Sequence, residues 1–162
     1  MQKLKNSLPK KNRYTLTAII KLDIKLNVIG LNIKKGVINS NARLTYTEAQ
    51  KIIDNGKGNC YDLLNTLKSI SMKLRRNRFK IGSLNIEIPE AEFIMGDGGI
   101  PSKITIKKHL KAHELVEEFM LLANRVIAEK FAKKYKPFIY RNHGKPEPER
   151  LMRLNTLLAH LG

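Results

Sequence analysis

The 162 residues provide for one compact domain, and 42% hydrophobic content is enough for a modest core and richer than a disordered chain would be. The 31 basic residues against 14 acidic ones leave a formal charge of +17, which favours a polyanionic partner, although a chain rich in Lys, Ile and Asn can also reach this charge through biased nucleotide composition. Cys60 is the one cysteine, which excludes internal disulfides and multi-cysteine zinc sites. The basic stretch Met1 to Asn12 leads into no apolar signal core, so a cytoplasmic protein is expected.

Tyr14 to Leu22 and Val28 to Lys34 alternate aliphatic with polar residues around a polar Asp23 to Asn27 segment, the pattern of a hairpin; Val37 and Ile38 extend the second strand or begin a third. Thr45 and Glu48 have capping-box spacing, so a helix should start near Tyr46 and stop at Asn55-Gly56. A second helix is expected from Tyr61 to Arg78, with Leu63, Leu64, Leu67, Ile70 and Leu74 on one side and Lys68, Lys73, Arg75, Arg76 and Arg78 on the other, ended by Gly82. Short strands follow at Leu84 to Ile88, Phe93 to Met95 and Lys103 to Ile106, the last two flanking a Gly96-Asp97-Gly98-Gly99 turn.

A long helix is expected from Lys108 to Tyr135, closed by Pro137, then a strand at Phe138 to Tyr140 and a final helix from Pro148 to Leu161. Leu115, Val116, Phe119, Leu122, Ala123, Val126 and Ile127 mark the apolar face of the long helix. His113, Glu117 and Asn124 form a separate stripe interrupted by Leu121, and a polar row in a helix built for burial calls for something polar opposite it, such as a ligand. Glu118 projects elsewhere, near Glu114 and Arg125, as part of a solvated ion-pair face. Strands and helices are mixed rather than alternating, so the expected class is α+β, a small mixed sheet packed against several helices in a single domain, residues 1–162.

Asn41-Ala-Arg-Leu-Thr-Tyr46, Ala112-His-Glu-Leu-Val-Glu-Glu-Phe-Met-Leu-Leu-Ala-Asn124 and Tyr140-Arg-Asn-His-Gly-Lys-Pro146 together resemble the RNB catalytic domain of the ribonuclease II and ribonuclease R family, processive 3'-to-5' exoribonucleases. The segments occur in the family's order, the likeness is greater to ribonuclease R, and it covers almost the whole chain as a central slice of the domain truncated at both ends. It implies magnesium held by an Asp-rich segment, yet Asp23, Asp54, Asp62 and Asp97 stand far apart, and neither that segment nor the family's later phosphate-gripping arginine is present. The resemblance therefore implies no catalytic residues and no metal site in this chain alone.

What it does imply is part of an RNA channel. Tyr46 matches a ring that lies against the 3'-terminal nucleotides, and Glu117 matches a glutamate that reaches the terminal sugar hydroxyls; the structural alternatives are a packed first-turn Tyr and a carboxylate paired with His113 or a basic side chain. Arg141 and His143 match a Tyr-Arg-x-His-x-x-Pro segment, with phosphate contact or a structural hydrogen bond equally open. Ile86 stands where ribonuclease II has a Phe that clamps the last bases, and an isoleucine cannot stack as well. Arg75 and Arg76, with Lys73, Arg78 and Lys80, form the densest cationic patch, a nonspecific phosphate surface or a solvated face. A metal site from His113, Glu117 and His143 is a weak signal, and His109 and His160 are taken as surface residues. The expectation is a fragment of a ribonuclease R-like exoribonuclease that binds single-stranded RNA but is inactive alone. Its alternatives are a subunit of a split active enzyme, whose other parts bring the missing groups, and an independent RNA-binding module.

Overall fold

In the first hairpin, side chains alternate between half-buried and exposed through much of β1 (Asn12–Leu22), which pairs antiparallel with β2 (Val28–Asn39) from Asn12 opposite Asn39 to a bulge between Lys21 and Leu22. Asp23 organises the turn: its Oδ1 accepts the amides of Lys25 (2.9 Å) and Asn27 (2.8 Å), and its Oδ2 accepts the Asn27 side-chain amide. Val37 and Ile38 belong to β2, so the second strand is continuous. The computed structural model describes residues 9–85, 89–96, 99–106, 108–134 and 137–161. The sequence expectations that rest on Ile86, Asp97 and Tyr135 lie outside the described residues.

The Thr45–Glu48 spacing does form a capping box. The Glu48 amide donates to Thr45 Oγ1 at 3.2 Å, the Glu48 carboxylate accepts from the Thr45 amide at 2.7 Å, and α1 (Tyr46–Asn55) starts there. It ends at Gly56, whose φ of 67° is the left-handed conformation that closes a helix without the penalty a Cβ would bring. Then α2 (Tyr61–Lys80) packs beside α1.

Strands β3 (Ala91–Met95) and β4 (Pro101–Ile106) make a second antiparallel ribbon, closed by a hydrogen bond from the Gly96 amide to the Ile100 carbonyl. The class is α+β, and among the described residues the strands form two separate two-stranded antiparallel sheets rather than one mixed sheet. Leu84 and Asn85 are outside any strand. The longest helix, α3 (Lys111–Lys133), begins three residues later than its sequence suggests, where the Leu110 carbonyl takes its first bonds.

Two compact units result, Met1–Ile127 and Ala128–Gly162. The core of the first draws on Ile53 from α1 and on Ala112, Leu115, Leu122 and Val126 from α3. In the second, Phe138 to Tyr140 is not a strand: no strand partner lies beside it among the described residues, and Phe138 instead stacks on Phe131 with centroids 4.5 Å apart while Tyr140 meets it edge-on. Pro148 occupies the first position of α4 (Pro148–Leu161), where a missing N–H is harmless, and Leu151, Leu154, Leu157 and Leu158 of this helix are all exposed.

Candidate nucleic-acid interface

The start of α3 brings the site together. Among the first amides of a helix, which have no partner inside it, that of Ala112 donates to Gln50 Oε1 of α1 at 3.1 Å. The Leu110 amide donates to Nδ1 of His113 at 3.0 Å, so the neutral ring carries its proton on Nε2. These two bonds fix α1 against α3 and set the plane of the His113 ring.

Gln50 is one turn along α1 from Tyr46, so the same anchor brings Tyr46 to His113. The two ring centroids are 4.1 Å apart and the planes tilted by 33°, while the tyrosine keeps about half of its surface exposed. His109 continues the row, 5.5 Å from His113, and its Nε2 lies 3.7 Å from the Glu117 carboxylate. Three rings and a carboxylate thus line an accessible edge of the first unit. The stripe of His113, Glu117, Leu121 and Asn124 is half-buried at His113 and exposed at the other three, so it needs no buried polar partner. Glu117 takes His109 rather than His113 as its neighbour, and His109, exposed as its sequence suggests, also joins the cluster.

The buried carboxylate is the next residue. Glu118 is 3% exposed, contrary to the solvated ion-pair face its sequence suggests. It lies at spacings of three and four from Leu115 and Leu122, which puts it on the buried stripe of α3. Its compensation comes from α2: Arg78 donates to both carboxylate oxygens, at 2.6 and 3.3 Å, and Arg75 lies 3.7 Å away. The Glu118 hydrogen bond raises the Arg78 pKa above the ordinary arginine value, more than burial lowers it. Arg75 also approaches Glu114 at 3.8 Å, donates to the Asn85 side chain at 2.8 Å, and lies over one ring, Phe79, that Arg78 also contacts.

The basic run on α2 is therefore divided. Arg75 and Arg78 turn toward α3 and are half-buried, and Ser71 is buried, while Lys73, Arg76 and Lys80 are exposed. The expected separation of an apolar from a cationic face fails because Glu118 attracts two of the cations inward. The available signal was the complementary spacing, Arg75 and Arg78 three apart on one helix against Glu114 and Glu118 four apart on the other. A small cavity of about 70 Å³ beside this network is lined by Lys68, Ser71, Met72, Arg75, Lys111, Glu114 and Glu118.

Arg141 and His143 lie in the second unit, both exposed and outside regular structure. No three His, Cys, Asp or Glu side chains gather into a metal-holding group among the described residues. Asp23 is engaged in its turn, Asp54 accepts from Gln50 at 2.8 Å, and Asp62 stands in the first turn of α2. These donors do not fit the clustered carboxylates that a catalytic magnesium requires. Among the described residues no helix is long and apolar enough to cross a membrane.

The row of aromatic rings and a carboxylate thus lies on an α+β unit of a strongly basic chain. The RNB domain model matches residues 2–161, and the chain belongs to this family. Ribonuclease R of Aquifex aeolicus is 31% identical over 166 residues, covering 99% of this chain and 24% of the relative, so the chain spans about a quarter of that protein's length. The apo form of Mycoplasma genitalium RNase R superposes with a TM-score of 0.86 at 23% identity, over 98% of this chain and 26% of that one. The same enzyme in complex with ribose-methylated single-stranded RNA gives 0.84 at 23% identity, over 95% and 25%.

Proposed function

We propose that this chain forms part of the RNA channel of a ribonuclease R-like 3'-to-5' exoribonuclease in the cytoplasm, contacting the 3' end of single-stranded RNA without cleaving it alone. The observation that carries the reading is the row Tyr46, His113, His109 and Glu117 on one accessible edge of a chain with formal charge +17. One face of the Tyr46 ring stacks on a terminal base, and such stacking contributes about 1–3 kcal/mol per base whatever its identity. The Glu117 carboxylate accepts from the ribose hydroxyls, and a 2'-OH supplies a donor that deoxyribose lacks. Exposed Arg76 adds phosphate attraction on the first unit, and Arg141 and His143, exposed on the second unit, supply phosphate contacts of their own, whereas Arg75 is engaged with Glu114 and Glu118.

Magnesium in the family would stabilise charge on the phosphate oxygens, but among the described residues the aspartates gather into no cluster that could hold it. On this reading its ligands come from another part of the enzyme. The same scatter favours a second reading, in which another chain provides the carboxylates and a phosphate-binding arginine to make a split active enzyme.

The test is fluorescence anisotropy with matched RNA and DNA oligonucleotides. Tyr46→Ala should weaken both, and Glu117→Gln should weaken RNA more than DNA. Equal loss on RNA and DNA for Glu117→Gln would show that the carboxylate does not read the 2'-hydroxyl, and a gain on both would show that it acts only as a repelling charge. Release of mononucleotides by the chain alone with magnesium would overturn the noncatalytic assignment.

A further inference from the structure

We propose, resting on the reading above, that His113 is a positioning residue for RNA: it backs one face of Tyr46 and holds that ring in the plane that receives the terminal base. Three observations carry this. The ring centroids are 4.1 Å apart, so imidazole lies against one face of the tyrosine, while about half of the tyrosine's surface stays exposed to a ligand. The imidazole is itself held, because Nδ1 accepts the Leu110 amide at the start of α3. And α1, which carries Tyr46, is tied to the same helix start by Gln50 and Ala112.

A tyrosine at the first position of a helix is otherwise free to change rotamer. Ordering it only upon binding would weaken the complex, and a preformed stack removes that cost in advance. His113 suits both tasks, since its flat ring stacks and its Nδ1 accepts the amide that a glutamine at the same helical position also captures. The ligand class is the unpaired terminal nucleotide of an RNA strand, recognised by stacking rather than by base edges.

The two tasks can be separated. His113→Gln keeps an acceptor for the Leu110 amide but removes the ring; His113→Phe keeps the ring but removes the acceptor. Binding of a fluorescent single-stranded RNA is measured for both variants, for Tyr46→Ala and for the Tyr46→Ala/His113→Gln double variant, with thermal melting as the folding control. We expect His113→Gln to weaken binding about fivefold to tenfold, as loss of part of one stacking contact would. His113→Phe should recover most of it, and His113→Gln should add nothing once Tyr46 is alanine. Wild-type affinity in His113→Gln, or the same loss with Tyr46 absent, overturns the inference and leaves the Tyr46 site standing. Binding indifferent to Tyr46→Ala overturns the site and the inference with it. If His113→Gln melts early, the comparison of His113→Phe with wild type decides, and a tenfold loss in a folded Phe variant counts against backing by the ring.

Discussion

Arg78 of α2 donates to both carboxylate oxygens of Glu118 on α3, at 2.6 and 3.3 Å, and this pair fixes which way the adjacent Glu117 faces. Successive residues on a helix are turned by about 100°, so anchoring Glu118 inward leaves Glu117 outward beside His109. The contact that helps hold α3 to α2 thereby presents the carboxylate assigned to the RNA sugar.

A stability experiment follows from the burial of Glu118. Arg78→Met should destabilise by about 3 kcal/mol, because a carboxylate 3% exposed loses both of its Arg78 hydrogen bonds and keeps Arg75 at 3.7 Å, beyond hydrogen-bond reach. Adding Glu118→Leu should restore most of the loss, since an apolar pair of similar volume removes the desolvated charge. Urea denaturation of the single and double variants measures both. A double variant less stable than Arg78→Met would show that the pair contributes more than mutual neutralisation.

Acid should loosen the start of α1. The Glu48 carboxyl is held below its ordinary pKa, first by the Thr45 amide and next by the Thr45 hydroxyl. A carboxyl depressed in the folded state contributes stability that is fully present above its unfolded pKa, and the contribution is lost as pH falls through the lower folded value. Amide exchange or NMR shifts at Thr45 and Glu48 should report fraying in that acidic window. Thr45→Ala should fray the helix at neutral pH, costing about 1 kcal/mol. An acid titration in which these amides do not change would refute the coupling.

Salt should promote self-association. Tyr14, Ile24, Phe93, Ile104 and Ile106 are exposed on the two ribbons, and Leu154 and Leu158 are exposed on α4. At low ionic strength the charge of +17 keeps copies apart; at about 1 M salt the screening length falls to roughly 3 Å and apolar attraction remains. Light scattering should therefore give a mass that rises with salt at constant protein concentration. A monomer at every ionic strength would count against accessible apolar faces.

Much of the architecture was legible along the chain because its causes are local. Thr45 and Glu48 define the start of α1 by hydrogen bonds within four residues, Gly56 ends it by its permitted φ, Asp23 closes the first hairpin, and Pro148 opens α4. The family segments around Tyr46 and Glu117 were also readable as they stand. Three features were not. Phe138 to Tyr140 has the composition of a strand but forms none, because strand formation needs a partner edge and Phe131 offers a ring instead. The ring row depends on Gln50, whose role as acceptor for Ala112 arises only when two helices 62 residues apart meet. And the choice between neighbouring glutamates turned on a partner 40 positions away.

Sequence by itself thus determined the helices and turns whose hydrogen bonds close within a few residues, the basic charge and the family likeness. Only the tertiary structure decided which carboxylate is buried, which arginines remain exposed and which rings touch. The physical reason is desolvation: a charged side chain enters the interior only where an opposite charge from another element meets it there, and spacing along one helix does not contain that second element.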